Sequence, residues 1–281
     1  MLKPSSEARP KQVLVTGGAR RLGALLCRQF AQAGWQVWCH YQHAEAPAQA
    51  LCAELRLLGV QAHPIQADLA DAAARRRLMD NITAQSGPLH ALVNNASSFE
   101  PDSAAAMDEA GARSQLEVNL LAPLALAGLM AQSLAQAPPI GEPAGLRSVI
   151  HVLDQKVFNL NPDYFSYTVS KLALERAVAL QAQALAPALR VCGVAPGLIF
   201  LSGPQSQANF DRACRVNLLR QATDPAQVAA SCLFLASNPC ITGVTLTVDN
   251  GQHLVPLPRD VMFVVDTLNQ EPAHDASTAA P

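Results

Sequence analysis

The sequence predicts an α/β fold: a single domain in which a doubly wound, mainly parallel sheet lies between two layers of helices. Three observations predict it. Short runs that are apolar throughout alternate with longer helical stretches, and strands with no polar face belong in a sheet covered on both sides. A glycine-rich turn, Thr16 to Gly23, joins the first such run to the first helical stretch. Half of the 281 residues are apolar and only 15% are charged, which suits one sizeable core.

The elements follow in order. Val13 to Val15 is a strand, and the amphipathic stretch Leu22 to Ala33 is a helix closed by Gly34. Val37 to Cys39 is the second strand, followed by a helix from Pro47 to Leu58 with Gly59 at its end, where glycine takes the left-handed cap. Ala62 to Gln66, Ala91 to Val93, Ser148 to Val152, Val191 to Ala195 and Val244 to Val248 are further strands separated by helical patterns. The Ala/Leu-rich stretches Ser114 to Ala135 and Phe165 to Ala186 are the long central helices, and Pro138 to Pro143 is a turn-rich loop. Residues 12–269 form the domain, between a flexible N-terminus (1–11) and a small, polar tail (270–281) expected to be disordered.

Composition narrows the function. A net charge of -2 without a basic block disfavours nucleic acid and anionic membranes and leaves a small molecule as the expected ligand. The seven cysteines are scattered, with no Cys-x-x-Cys spacing, so they are expected to be buried thiols of a reducing compartment, with neither a disulfide framework nor a metal site. Residues 1–11 lack the apolar core of a secretory signal, and no apolar stretch approaches the ~20 residues of a membrane span. A soluble, cytoplasmic protein is expected.

The turn Thr16-Gly17-Gly18-Ala19-Arg20-Arg21-Leu22-Gly23 leaves a strand and opens a helix. Backbone amides at a helix N-terminus, approached closely where glycine leaves room, make a pyrophosphate site. After the second strand, where an NAD site places an acid for the ribose 2'-hydroxyl, this chain has His40-Tyr41-Gln42-His43. With no carboxylate to repel a 2'-phosphate and with Arg20 in reach, NADP is favoured over NAD. Asp68, beside Leu69, is either an acceptor for the adenine amino group or the N-cap of the next helix. Asn95-Ala96 and Pro196-Gly197 stand at strand C-terminal ends, where open α/β sheets bind ligands.

Asp154 stands thirteen residues ahead of Tyr167-Thr168-Val169-Ser170-Lys171. Residues four apart share a helix face, so Lys171 can hold its ammonium beneath the Tyr167 phenol. A phenol of pKa about 10 is a poor acid at neutral pH, and a nearby cation lowers it. The three side chains together suggest a proton-delivery device.

With the glycine turn, Asn94-Asn95-Ala96, Asn119, Tyr-x-x-x-Lys and Pro-Gly in order, the chain resembles the short-chain dehydrogenase/reductase family from about Gln12 to Leu254. The resemblance implies a Rossmann-like domain with a seven-stranded sheet, assembled as a homo-oligomer, a tetramer before a dimer. It implies that Tyr167 is the catalytic acid, that Lys171 lowers its pKa and holds the nicotinamide ribose, and that Asn119 anchors a water in the proton relay. The implied cofactor set is Thr16, Gly17, Arg20, Arg21, Leu22, Gly23, His40, Tyr41, His43, Asp68, Leu69, Asn95, Ala96 and Ser97, with Tyr167, Lys171, Pro196 and Gly197.

Two departures from the general family pattern matter. Arg21 replaces the middle glycine of the turn, and Asp154 stands where a catalytic serine is expected. Both resemble the pteridine reductase branch, including dihydromonapterin reductase, as does Asn95-Ala96-Ser97-Ser98-Phe99. Reducing a dihydropterin C=N bond needs a proton at ring nitrogen, which suits a carboxylic acid backed by Tyr167. Arg21 and Ser97 would touch the pterin, Phe99 would stack on it unless it is a core residue, and Tyr164 is a substrate-flanking or a surface tyrosine. The branch's basic group after the second strand is replaced by His43, largely neutral at pH 7 without a partner. Asp249-Asn250-Gly251 and then Arg259 to Asp266 are candidates to reach a neighbouring subunit's site, and Leu201 to Arg220 shows no motif.

The expected activity is NADPH-dependent reduction of a dihydropterin-type substrate: dihydrobiopterin, dihydromonapterin or dihydrofolate. A reductase of an ordinary ketone is the enzymatic alternative. A catalytically silent NADP-binding sensor is the alternative from another class, disfavoured because a sensor has no use for the tyrosine and lysine together.

Overall fold

The computed structural model describes residues 10–136, 147–203 and 205–268. The Pro138 to Pro143 loop, the 270–281 tail and all but the last two residues of the 1–11 segment lie outside the described residues.

The chain alternates β1 (Gln12–Val15), α1 (Arg21–Gln32), β2 (Gln36–Tyr41), α2 (Glu45–Arg56), β3 (Ala62–Gln66), α3 (Ala72–Ser86) and β4 (Ala91–Asn94). It continues through α4 (Glu109–Leu116), a π-helical turn (Glu117–Leu121), α5 (Ala122–Gln136), β5 (Ser148–Val152), α6 (Phe165–Leu185) and β6 (Arg190–Pro196). The last elements are α7 (Gln207–Ala213), α8 (Pro225–Ser237), β7 (Thr245–Val248) and α9 (Val261–Leu268). All strand pairings are parallel, in the order β3-β2-β1-β4-β5-β6-β7.

The period of two in β1 shows how one sheet serves two cores. Val13 and Val15 pack towards α1, α2 and α8, while Leu14 between them packs towards α3, α5 and α6. That is why the central strands are apolar throughout, as the sequence requires, whereas the edge strand β7 is only half-buried. Asp71, Asp224 and Ser206 cap α3, α8 and α7 through backbone N–H groups. Asp68 is therefore not the cap of α3. It accepts from Ala70 N and from the Gln42 side chain.

Two expectations are corrected. The helix expected from Ser114 begins at Glu109 and runs to Gln136 through the π turn, 28 residues that contain an 18-residue window of mean hydropathy 1.6, long and apolar enough to cross a membrane by length and composition. The sequence hid this because Glu117, Asn119 and Pro123 interrupt the apolar run without interrupting the helix. Here the helix packs on α3 and α6 as part of a layer. Second, Cys240 is exposed, while the other six thiols are buried as expected.

Order reverses between β1 and β4, the point at which an open α/β sheet leaves a crevice beyond its strand ends. Two buried histidines, His40 on β2 and His151 on β5, brace this region. His40 Nδ1 accepts from Gly17 N at 3.1 Å and its Nε2 faces Ala67 O at 3.1 Å, while His151 bridges Asn94 and Gln181. Burial lowers both rings to a pKa of about 4. Unfolded histidine titrates near 6.5, so between those values the unfolded chain binds more protons and stability falls as pH falls. Each ring is expected to cost about 2 kcal/mol by pH 5, seen as a lower melting temperature at pH 5 than at pH 7. A flat melting temperature across that window would contradict neutral burial.

Candidate active site

The glycine turn is built for close approach. Gly17 has φ +61, and a Cβ there would lie 3.1 Å from Ala96 Cα, so the turn and the end of β4 touch through backbone. Thr16 locks the same junction: its Oγ1 accepts from Asn95 N at 2.9 Å and Ala96 N at 3.0 Å, and Asn95 Nδ2 donates to the carbonyls of Thr16 and Gly17. Thr16 is thus a buried strut rather than a surface offered to a ligand. Arg20, at the N-cap of α1, makes no side-chain cap, so the first-turn amides lack the partner that a Ser or Asp would supply. A phosphate fits that uncapped end.

From the turn a cavity of about 550 Å³ runs along the strand ends. Gly17, Arg20, Arg21, Leu22 and Gly23 line one end with His40, Asp68 and Leu69. Asn95, Ala96 and Ser97 line the middle, opposite Pro196 and Gly197. Tyr41 and His43 do not line this cavity; with Arg20 and Gln42 they border a separate shallow depression beside the turn. His40 is uncharged and fully used in bracing Gly17, so Arg20 and His43 are the basic side chains bordering that depression. Arg21, at φ +50, crosses the cavity mouth to donate to Leu201 O at 2.8 Å, with its guanidinium 5.0 Å from the Phe200 ring centroid.

At the reacting end, Asp154 leaves β5 and caps a short 3-10 turn, Gln155–Val157, by accepting from Lys156 N at 2.9 Å. Its other oxygen accepts from the Tyr167 phenol at 2.9 Å. Burial raises the Asp154 carboxyl above its usual range, opposed by the Lys156 amide and charge. Tyr167 is moved in the direction opposite to the sequence expectation: burial first, then the Asp154 charge, pushes the phenol well above its usual value. Lys171 does not offset this, because its ammonium donates to Val152 O at 2.8 Å and stands 5.7 Å from the phenol ring centroid. Burial lowers Lys171 to about 8.

Asn119 is fully buried in the π turn and lies outside the cavity wall. Its side chain donates to Ser98 O and Ser170 Oγ and accepts from Ser98 N at 2.7 Å and from Ser97 Oγ. It fixes the Ser97–Phe99 loop. Phe99 borders the cavity, with one face stacked on Tyr164 at 4.1 Å and its ring edge-to-face with Tyr167 at 4.6 Å. Tyr164 is neither a surface tyrosine nor part of the cavity lining: at φ +54 it turns inward, 4% exposed, beneath Phe99 and against Met262. It acts on the cavity from behind, by backing Phe99, Met262 and Lys156.

The sequence missed the far wall, which Gln155, Lys156, Asn159, Asn161, Asp260 and Met262 build. Arg259 to Met262 folds over this chain's own cavity: Arg259 forms an ion pair with Asp163, and Asp260 N donates to Asp163 Oδ2 at 2.7 Å. The unreadable 201–220 segment supplies Ser202 to the cavity and α7, which packs on α9.

Residues 17–253 match the family profile described as enoyl-(acyl carrier protein) reductase. Pteridine reductase 1 of Leishmania tarentolae is 30% identical over 280 residues, covering 86% of this chain and 96% of the relative. The 3-oxoacyl-(acyl-carrier-protein) reductase FabG of Staphylococcus aureus is 28% identical, covering 87% and 98%. The structure of FolM alternative dihydrofolate reductase 1 from Brucella suis, in complex with NADP, superimposes with a TM-score of 0.81 at 35% identity, covering 87% of this chain and 95% of that one. With the seven-stranded parallel sheet and the profile match across most of its length, the chain belongs to the short-chain dehydrogenase/reductase family of NAD(P)-dependent oxidoreductases.

Proposed function

We propose that the protein is an NADPH-dependent reductase of the C=N bond of a dihydropterin-type substrate. The observation that carries this reading is Asp154, a carboxyl raised by burial, hydrogen-bonded to Tyr167 and lining the cavity. The pteridine reductase and dihydrofolate reductase names of two relatives point the same way.

NADPH fits the cavity. The uncapped start of α1 at Arg20–Gly23 would hold its pyrophosphate, approached closely over Gly17, and Asp68 with Leu69 would border the adenine. Arg20 and His43, beside a depression free of carboxylates, would take the 2'-phosphate. Asn95, Ala96, Ser97, Pro196 and Gly197 would flank the rest, with Lys171 at the ribose. When bound, NADPH supplies the hydride.

The remaining chemistry belongs to the chain. Reducing C=N leaves negative charge on nitrogen, which a positioned acid neutralises. Asp154, whose hold on a proton burial strengthens, would donate to that nitrogen from its protonated form, and the Tyr167 hydroxyl would hold the resulting carboxylate. Tyr167 is thus the orienting donor, since its own proton is held too tightly to be the first to leave. One face of Phe99 is covered by Tyr164, so the flat substrate takes its other face, with Arg21 and Ser97 at the rim. A carbonyl reductase, the activity in the FabG relative's name, gains nothing from a carboxylic acid at 154.

Initial rates with a 7,8-dihydropterin, measured with NADPH and NADH in parallel, test the reading. Turnover with NADPH, at a higher kcat/KM than with NADH, is expected. No turnover with either reductant would reject it.

A further inference from the structure

The proposed reaction places a demand on the far wall of the cavity. If Asp154 delivers the proton to the nitrogen of C=N, the carbon that receives hydride is the next atom. A substituent on that carbon must then begin beside Asp154 and run along the wall beyond it.

That wall starts at Asp154 itself. The 3-10 turn makes Gln155 and Lys156 its continuation, with Lys156 N bonded to Asp154 Oδ1. The Lys156 side chain is only 4% exposed; its ammonium donates to Asp163 O at 2.8 Å and stands 3.6 Å from Asp260 Oδ2. Asp260 also accepts from Met262 N at 3.2 Å, and its charge is close enough to raise the Tyr167 phenol. The Gln155 carboxamide oxygen, in a residue 7% exposed, is buried without a partner. Such an orphan costs roughly 1–3 kcal/mol, recovered if a ligand or a side-chain flip pairs it.

The charges on this wall define what it can take. Asp163 and Asp260 are paired with Arg259 and Lys156, and Asp154 feels Lys156 and, from the ribose side of the cavity, Lys171. Among the described residues of this wall, Lys156 and Arg259 are both committed to aspartates, so a carboxylate-bearing tail finds no unpaired cation there. A hydroxyl suits the wall better: it can donate to Asp260 and accept from Lys156 or Gln155 in the same place.

Resting on the dihydropterin reading above, we propose that Asp260, with Lys156 and Gln155, determines specificity by recognising a short hydroxylated substituent on the carbon that receives hydride. Dihydrofolate, with an arylamide tail ending in carboxylates, is the poorer substrate.

The test compares kcat and KM for three 7,8-dihydropterins, with a hydroxylated 6-side chain, with a 6-methyl group, and dihydrofolate, in wild type and in Asp260→Asn. The variant keeps the shape of the side chain and an acceptor for Met262 N. Wild type is expected to favour the hydroxylated substrate over the 6-methyl one by about tenfold in kcat/KM, and over dihydrofolate. Asp260→Asn should remove most of that preference, chiefly by raising KM for the hydroxylated substrate. Arg259→Ala loosens the segment without deleting the carboxylate and should weaken both substrates alike, preserving the ratio. The proposal is overturned if Asp260→Asn also leaves the ratio unchanged, or if wild type favours dihydrofolate; in either case the dihydropterin reading survives. Absence of turnover with all three in wild type would sink both.

Discussion

Asp154→Ser is expected to lower kcat/KM for a 7,8-dihydropterin by about a hundredfold or more, the usual scale for losing a positioned general acid. A ketone should lose much less, because a serine hydroxyl still orients a carbonyl oxygen and Tyr167 still lies within reach. The difference follows from the proton each product needs. Hydride transfer to C=N leaves a nitrogen anion far more basic than the alkoxide a ketone gives, so its proton must arrive with the hydride, and Asp154, in contact with Tyr167, is the acid whose hold on a proton burial strengthens. The pH profile carries the same signature. Because the protonated acid is the active form, the wild-type dihydropterin rate should fall as pH rises through the raised Asp154 pKa, and the serine variant should lack that limb. In wild type, loss of the Lys171 charge adds a second decline above about 8, and in the serine variant that decline should begin at lower pH, because the Asp154 charge that favours the ammonium is gone. Equal losses on the two substrate classes would reduce Asp154 to a structural acid.

Gly23→Ala should be the most damaging small change. A Cβ at this position would lie 2.0 Å from Gly17 O, 2.8 Å from Gly17 C and 2.9 Å from Gly18 Cα. All three are backbone atoms of the turn, so no side chain can swing aside, and the turn itself must move. Overpacking of this kind costs about 1–3 kcal/mol or more, against which the helix propensity gained by alanine returns at most about 1 kcal/mol. The displaced turn also carries the amides assigned to the pyrophosphate. A lower melting temperature is therefore expected together with NADPH affinity weakened by about tenfold or more, read by titrating NADPH fluorescence. Affinity within twofold of wild type would show that the turn does not hold the cofactor.

Most of the fold was legible because burial on both faces leaves a strong mark. Ala62–Gln66 and Ser148–Val152 have the boundaries that their apolar runs suggest, and the other strands differ by one or two residues at an end. The start of α4 was not legible, since Glu109 to Arg113 carries little apolar periodicity and is held by the Asp108 cap. The reacting trio was legible as a meeting of residues but not as an electrostatic arrangement. Helical spacing brings Lys171 near Tyr167, yet it is the Val152 carbonyl that takes the ammonium and the Asp154 carboxylate that takes the phenol. Tyr164 was misplaced because spacing alone cannot reveal its left-handed backbone, which turns the ring inward. Asp260 could not be found at all, because its position depends on Asp163, 97 residues earlier in the chain.

Everything proposed for this site turns on reduction of a dihydropterin C=N bond with Asp154 as acid. Its most direct test is NADPH oxidation by the wild-type protein, with a 7,8-dihydropterin and a simple ketone assayed side by side at matched concentration. Rapid oxidation is expected with the dihydropterin, at a kcat/KM at least about tenfold higher than with the ketone. Oxidation with the ketone and silence with the dihydropterin would contradict it, leaving an NADPH-dependent carbonyl reductase on the same fold.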